Sequence, residues 1–224
     1  MGTIATAINR LKEELPSNVK LVAVSKFHPA EAVMEAYDAG QRVFGESRPQ
    51  EFHAKAVALP GDISWHFIGH LQTNKLKLVL PYTAMVESVD SVHLLEAIDR
   101  RGRANGKITE VLLEMHIASE TTKQGFSREE ILTVAGNASD YAGVRISGLM
   151  GMATFTDDET VVRRDFSQLV SLRDEIRSSL TDYPGLPEDF GVLSFGMTHD
   201  YRIAVEMGAD IVRIGTLIFG ERNY

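Results

Sequence analysis

The 224-residue sequence contains no cysteine. Disulfide bridges, thiolate metal sites and a cysteine nucleophile are therefore excluded. The chain is also short of positive charge, with 23 Lys and Arg against 31 Asp and Glu and a formal net charge of -8. Phosphate backbones are bound by clustered Lys and Arg, so a broad nucleic-acid surface is excluded, although a local basic pocket could still hold a small anion. No uninterrupted apolar run approaches the roughly 20 residues needed to span a bilayer, which argues against a membrane protein. The opening MGTIATAINRLKEELP has a helical period with Arg10 and Lys12 inside it, and lacks the charged-then-apolar order of a secretory signal. The expectation is a cytoplasmic protein. No two of the seven His have the spacing on one helical face that would suggest a metal site.

What is present is an ordinary globular composition, 44% apolar and 24% charged, at a length that suits one α/β barrel. Short apolar runs alternate with longer segments of helical period, as in repeated βα units around a parallel sheet. Strands are predicted at 20–24, 42–44, 64–68, 84–86, 110–115, 145–150, 192–194 and 211–214. LVAV, VLLEM and IVRI read as buried on both faces, as parallel strands covered by helices should. Helices are predicted to start near residues 30, 48, 74, 91, 128, 159 and 199, after an N-terminal helix at about 4–15. Ser127 ahead of Arg128-Glu129-Glu130 marks a helix entry, and Gly40 and Gly208 mark helix exits. The YPGLP stretch at 183–187 reads as a loop, and no linker divides the chain. The expected fold is a single-domain (β/α)8 TIM barrel over residues 1–224, with residues 1–17 as a helix packed on it. An open doubly wound sheet is the alternative.

In a barrel, chemistry sits where strands end and βα loops begin. Lys26 follows LVAVS at the end of the first strand, where it is either a solvated loop residue or a functional amine. An amine against apolar walls has its ammonium form disfavoured and becomes a better nucleophile toward an aldehyde. The last strand carries Arg213 and ends in a Gly215-Thr216 turn, whose backbone N–H groups and hydroxyl suit a phosphate. The stretch from Ser194 through Thr198 to Asp200 opens a helix beside it and offers a second anion site. Loops after the seventh and eighth strands are the usual phosphate site of such barrels. Lys26 neighbours both.

LVAVSK at 21–26, FGESRPQE at 44–51, WHFIGHLQTNK at 65–75, GLMGMAT at 148–154 and LSFGMTHDYRIAVEMGADIVRIGTLIFGER at 193–222 together resemble the YggS/PROSC family of pyridoxal phosphate homeostasis proteins. The resemblance implies a barrel of the alanine racemase N-terminal type, with pyridoxal 5'-phosphate (PLP) as a Schiff base on Lys26. It further implies that Thr198, Gly215 and Thr216 hold the phosphate and that Arg213 faces the pyridine nitrogen. A permanently charged Arg there disfavours protonation of the ring and weakens it as an electron sink, so little enzymatic activity is expected. Ser47, a shorter polar side chain at a position that the resemblance implies approaches the cofactor, stands where the family usually has Asn, and Thr198 stands where it has Ser, which keeps the hydroxyl. His116 replaces a more usual Asn.

Other residues near that face carry two readings each. His66 is a barrel-lining His or a neighbour of PLP; Met150, Met152 and Met197 are core packing or the wall of a planar ring. Glu46 and Glu114 are expected near one face, each satisfied by a barrel Lys or Arg. His70 and His199 lie at the cofactor face with no partner carboxylate evident, while His28 and His53 read as surface residues. Lys75 and Lys77, at the start of the third crossover helix, are a solvated patch or a docking point. The leading function is storage, buffering or delivery of PLP, with PLP-dependent apoenzymes as partners. The rivals are a PLP-dependent racemase or lyase of small amino acids, and a binder of some other phosphorylated metabolite. A racemase needs acids or bases on both faces of the substrate. The sequence ends at Tyr224 directly after its last barrel unit, without a dimerising second domain, so a monomer is expected.

Overall fold

The computed structural model describes residues 3–119 and 124–221; residues 1, 2 and 222–224, which belong to the predicted domain span, lie outside the described residues. The described residues form eight strands: β1 Lys20–Val24, β2 Val43–Glu46, β3 Ser64–Phe67, β4 Thr83–Val89, β5 Thr109–Glu114, β6 Val144–Met150, β7 Val192–Ser194 and β8 Ile211–Ile214. Each pairs in parallel with the next, and β8 returns to β1 with Val22 opposite Arg213, which closes the barrel. Closure rules out the open sheet.

Around the barrel lie α1 Thr3–Glu14, α2 Ala30–Asp38, α3 Pro49–Ala58, α4 Leu76–Val79, α5 Val92–Asn105, α6 Arg128–Gly136, α7 Glu159–Ser178, α8 Tyr201–Glu206 and α9 Thr216–Phe219. Helix α1 packs on α2 and α9, burying Ile8 and Leu11. The helix expected near residue 74 is a 3-10 turn at Thr73–Lys75 running into the single turn of α4. Pro81, two residues past Val79, cannot continue a helix and restricts the residue before it. Lys75 and Lys77 accordingly sit on a short connector. The helix expected at His199 begins at Tyr201, because Asp200 accepts the Met197 N–H at 2.6 Å and closes a turn first. Helix α9 has no counterpart in the prediction. Among the described residues no helix is long and apolar enough to cross a membrane.

Strand periodicity sorts side chains into two layers. Val22, Val24, Met85, Leu112, Met150 and Ile211 fill the barrel interior, while alternate residues such as Phe44, Trp65, Phe67, Leu113 and Val212 join the larger core under the helices. Each such buried side chain contributes about 1.5–3 kcal/mol. The prediction of β4 as three residues fell short because Glu87 and Ser88 interrupt its apolar run, and both are buried. At α6, Ser127 Oγ accepts the Glu130 N–H and Glu130 returns a bond to the Ser127 N–H, completing a capping box. Ser127→Ala is expected to lower stability by about 1 kcal/mol in urea unfolding.

Candidate functional site

At the C-terminal end of the barrel lies a cavity of about 260 Å³ lined by Val24, Lys26, Ile68, Met152, Phe155, Met197, Thr198, His199, Arg213, Gly215 and Thr216. Lys26, Thr198, Arg213, Gly215 and Thr216, separated by up to 190 residues of chain, therefore line one cavity. Ser47, His66 and Met150 lie outside that lining. Met150 belongs to the interior apolar layer, and His66 precedes Ile68 by one inward step along β3. Ser47 follows β2 against Gly69, where a Cβ would stand 2.6 Å from the Ser47 Cβ. A concavity of about 380 Å³ at the opposite mouth mixes Lys20, Arg173 and Arg177 with Glu110, Asp189 and Asp210. Its arginines are already engaged, Arg177 by the Phe190 carbonyl at 2.9 Å and Arg173 by Asp174 at 2.6 Å.

Both chain neighbours of Lys26 are pinned by one ion-pair cluster, Ser25 by Lys55 and Glu46, and Phe27 by Glu51. Lys55 on α3, 7% exposed at its side chain, donates to the Ser25 carbonyl at 2.8 Å, to Glu46 at 2.6 Å and to Glu51 at 2.8 Å. Ser25 Oγ donates to the same Glu46 oxygen at 2.7 Å, and the Phe27 N–H donates to Glu51 at 2.7 Å. Phe27 has a φ of 69°, a left-handed conformation that costs a non-glycine residue free energy. Arg48 stacks on its ring at 4.2 Å. These bonds hold the strained turn that presents Lys26. Glu46 thus points outward between sheet and helix, opposite to the Glu114 side of the sheet, and the expected common face is corrected by strand parity. Burial raises the Glu46 pKa, and the Lys55 charge partly offsets that rise.

Arg213 is 4% exposed and is held from below. It donates to the Ser194 carbonyl at 2.9 Å, to Ser194 Oγ at 2.5 Å and to the Gly151 carbonyl at 3.0 Å. Glu87, fully buried, accepts from Ser194 Oγ at 2.6 Å, sits 2.5 Å from His66 Nδ1 and lies 3.7 Å from Arg213. Burial alone would raise the Glu87 pKa, but the His66 hydrogen bond and the His66 and Arg213 charges outweigh it and hold the pKa below the ordinary value. The relay fixes the guanidinium in place and keeps a compensating charge beneath it. His66 therefore has a buried carboxylate partner.

Glu114 continues the inward parity of Leu112 on β5 and is 3% exposed. Unlike Glu46, its carboxyl has no hydrogen-bond partner among the described residues. Burial first, then the charge of Asp90, push its pKa up to about 7 despite Arg213 and His70 nearby. The expectation of a satisfying Lys or Arg is corrected here. His70 does have a carboxylate partner, Asp90, at 2.7 Å, one residue past the end of β4, where no local pattern marks it. His199 is exposed and meets Phe155 edge-on at 5.2 Å. His28 and His53 are half-buried rather than on the surface; His28 stacks on Phe219 at 5.2 Å and His53 meets Tyr82 edge-on at 5.3 Å. His116 lines a separate cavity with Glu114. Sequence reasoning missed Lys55, Glu51, Glu87 and Asp90; the Glu51 and Lys55 spacing on one helix face was the available signal.

The model of the alanine racemase N-terminal domain family matches residues 1–223. A pyridoxal phosphate homeostasis protein of Aquifex aeolicus is 39% identical over 206 residues, which cover 92% of this chain and 88% of that one. The human protein of the same name is 37% identical over 234 residues, covering 99% and 83%. The structure of PipY from Synechococcus elongatus with PLP bound superposes with a TM-score of 0.87 at 35% identity, covering 97% and 100%. Alanine racemase of Corynebacterium glutamicum shares the fold, with a TM-score of 0.75 at 13% identity, and this chain spans 60% of it.

Proposed function

This chain belongs to the pyridoxal phosphate homeostasis protein family, and on that premise we propose that it binds PLP in the cavity at the C-terminal mouth of its barrel. The observation that carries the reading is the convergence of Lys26, Arg213, Thr198, Gly215 and Thr216 on one cavity. PLP supplies an aldehyde that condenses reversibly with a primary amine. The residues present fit that group: an amine, an anion-compatible turn and apolar walls from Val24, Ile68, Met152 and Met197. Lys26 would hold the aldehyde carbon, with its turn fixed through Ser25 and Phe27. Thr198, Gly215 and Thr216 would receive the phosphate by hydroxyl and backbone donors. Arg213, anchored on Ser194 and Gly151 and compensated by Glu87, would meet the ring nitrogen as a permanent donor and keep it unprotonated.

The reading extends to a cytoplasmic monomer, one barrel domain throughout, that stores the cofactor and hands it to PLP-dependent apoenzymes. His66, Met150 and Ser47 belong to it as the layer supporting the cavity. Titration of the protein with PLP is expected to give an imine absorption band that saturates at one equivalent and is lost in Lys26→Ala. Thr198→Val is expected to weaken apparent affinity about tenfold, the loss of one hydrogen bond to a charged group. A full-strength saturable band in Lys26→Ala would overturn the assignment.

A further inference from the structure

Beside the cofactor cavity lies a second one of about 250 Å³, lined by Glu114, His116, Gln124, Ile117, Met152 and Met197 among others. Met152 and Met197 are its partition with the first, and Lys26 is not part of its lining. Its polar floor is Glu114, 3% exposed, inward-facing by strand parity and without a hydrogen bond to its carboxyl among the described residues. A buried carboxyl in that condition lacks the partner that such groups normally find.

The surroundings decide the charge of the missing partner. Among the described residues the charges acting on Glu114 are those of Asp90, Arg213 and His70, and His116 shares the cavity lining without a hydrogen bond to the carboxyl. Asp90 adds negative charge, with a side chain only 7% exposed. Arg213 is committed to Ser194, Gly151 and Glu87. A divalent metal does not suit the site, since among the described residues no group of three His, Asp or Glu side chains is placed to hold one. A single ammonium meets the requirement, because it donates to one carboxylate and needs no further anionic ligand. The Ile117, Met152 and Met197 walls suit a short hydrocarbon chain behind it.

We propose that the Glu114 cavity is a binding subsite for a short-chain primary alkylammonium, received by the Glu114 carboxylate next to the cofactor cavity. An amine seated there stands one methionine partition away from the Lys26 cavity. The subsite disfavours the carboxylate end of a free amino acid, because Glu114 and Asp90 repel it.

Calorimetric titration of the full chain with n-butylammonium chloride tests this, with sodium butyrate and n-butanol as probes of the same chain length. Butylammonium is expected to bind, and butyrate not to bind. Glu114→Gln keeps the shape, removes the charge and leaves no buried anion, so it is expected to fold and to bind butylammonium at least tenfold more weakly. Binding at pH 7 is also expected to release about half a proton, read from buffers of different ionisation enthalpy, because the cation draws the proton from a carboxyl that titrates at about 7. A cavity that only packs would show neither effect. Equal binding of butylammonium and butanol, or affinity unchanged in Glu114→Gln, overturns the proposal. Lys26→Ala is expected to keep the ammonium site, so failure of the PLP reading and failure of this one are separable.

Discussion

Replacing Lys55 with Met is expected to cost about 3–5 kcal/mol of folding stability, the usual penalty for removing one partner of a buried ion pair. The side chains of Lys55 and Glu46 are 7% and 0% exposed, and Glu51 at 21% shares the same ammonium. Without that ammonium, Glu46 is a buried charge whose one remaining hydrogen-bond donor among the described residues is Ser25 Oγ. Its other oxygen is buried and unpartnered already. The pH dependence follows from the sign of the shift. Glu46 has a folded pKa raised above its unfolded value, so its favourable contribution is present below the unfolded pKa and is lost as pH rises through the folded one. Loss of Lys55 removes the largest force opposing that rise. The deficit of Lys55→Met should therefore be larger at pH 8 than at pH 5 in urea unfolding, and Glu46→Gln in the same background should recover part of it. A deficit independent of pH would contradict the assignment. The Ser25 to Phe27 turn loses its bond from Lys55 to the Ser25 carbonyl in this variant, so formation of the Lys26 adduct is expected to slow as well.

Gly148→Ala is expected to lower stability by about 3 kcal/mol or more, through overpacking against immovable atoms. A Cβ at Gly148 would stand 1.9 Å from the Val192 carbonyl oxygen and 2.7 Å from its carbon and nitrogen. These are backbone atoms of the next strand, registered directly opposite Gly148, and no rotamer relieves the clash. Strand β6 must move away from β7 or the barrel must open there. The fall in Tm should be about 6–12 °C for a chain of this size. Gly61→Ala is the control, since its Cβ would meet nothing within 4 Å. Equal Tm values for the two variants would contradict the close packing of β6 on β7.

Alternation of apolar runs with helical periods was enough to place the eight strands but not to close the sheet, because parallel strands covered on both faces leave nearly continuous apolar segments in an open sheet and a barrel alike. The same logic failed where polar residues enter a strand. Glu87 and Ser88 shortened the prediction of β4, yet Glu87 is in the strand because His66, Ser194 and Arg213 meet it inside the barrel. Lys26, Thr198, Arg213 and the Gly215-Thr216 turn were legible because strand ends and turn glycines are local signals. The clamp on Lys26 was not, because Lys55 meets Glu46 and Ser25 only after α3 folds back on the sheet. Glu46 and Glu114 look alike in sequence, each closing an apolar strand. Parity sends one outward to a lysine and the other inward to an unpartnered position, and register on the closed barrel decides which.

The central claim is that PLP is held covalently by Lys26 and by no other lysine. The most direct measurement is borohydride reduction of the protein after addition of one equivalent of PLP, followed by peptide mass mapping. A single phosphopyridoxyl adduct is expected, on the peptide that contains Lys26. An adduct spread over exposed lysines such as Lys77, with none enriched at Lys26, would contradict it.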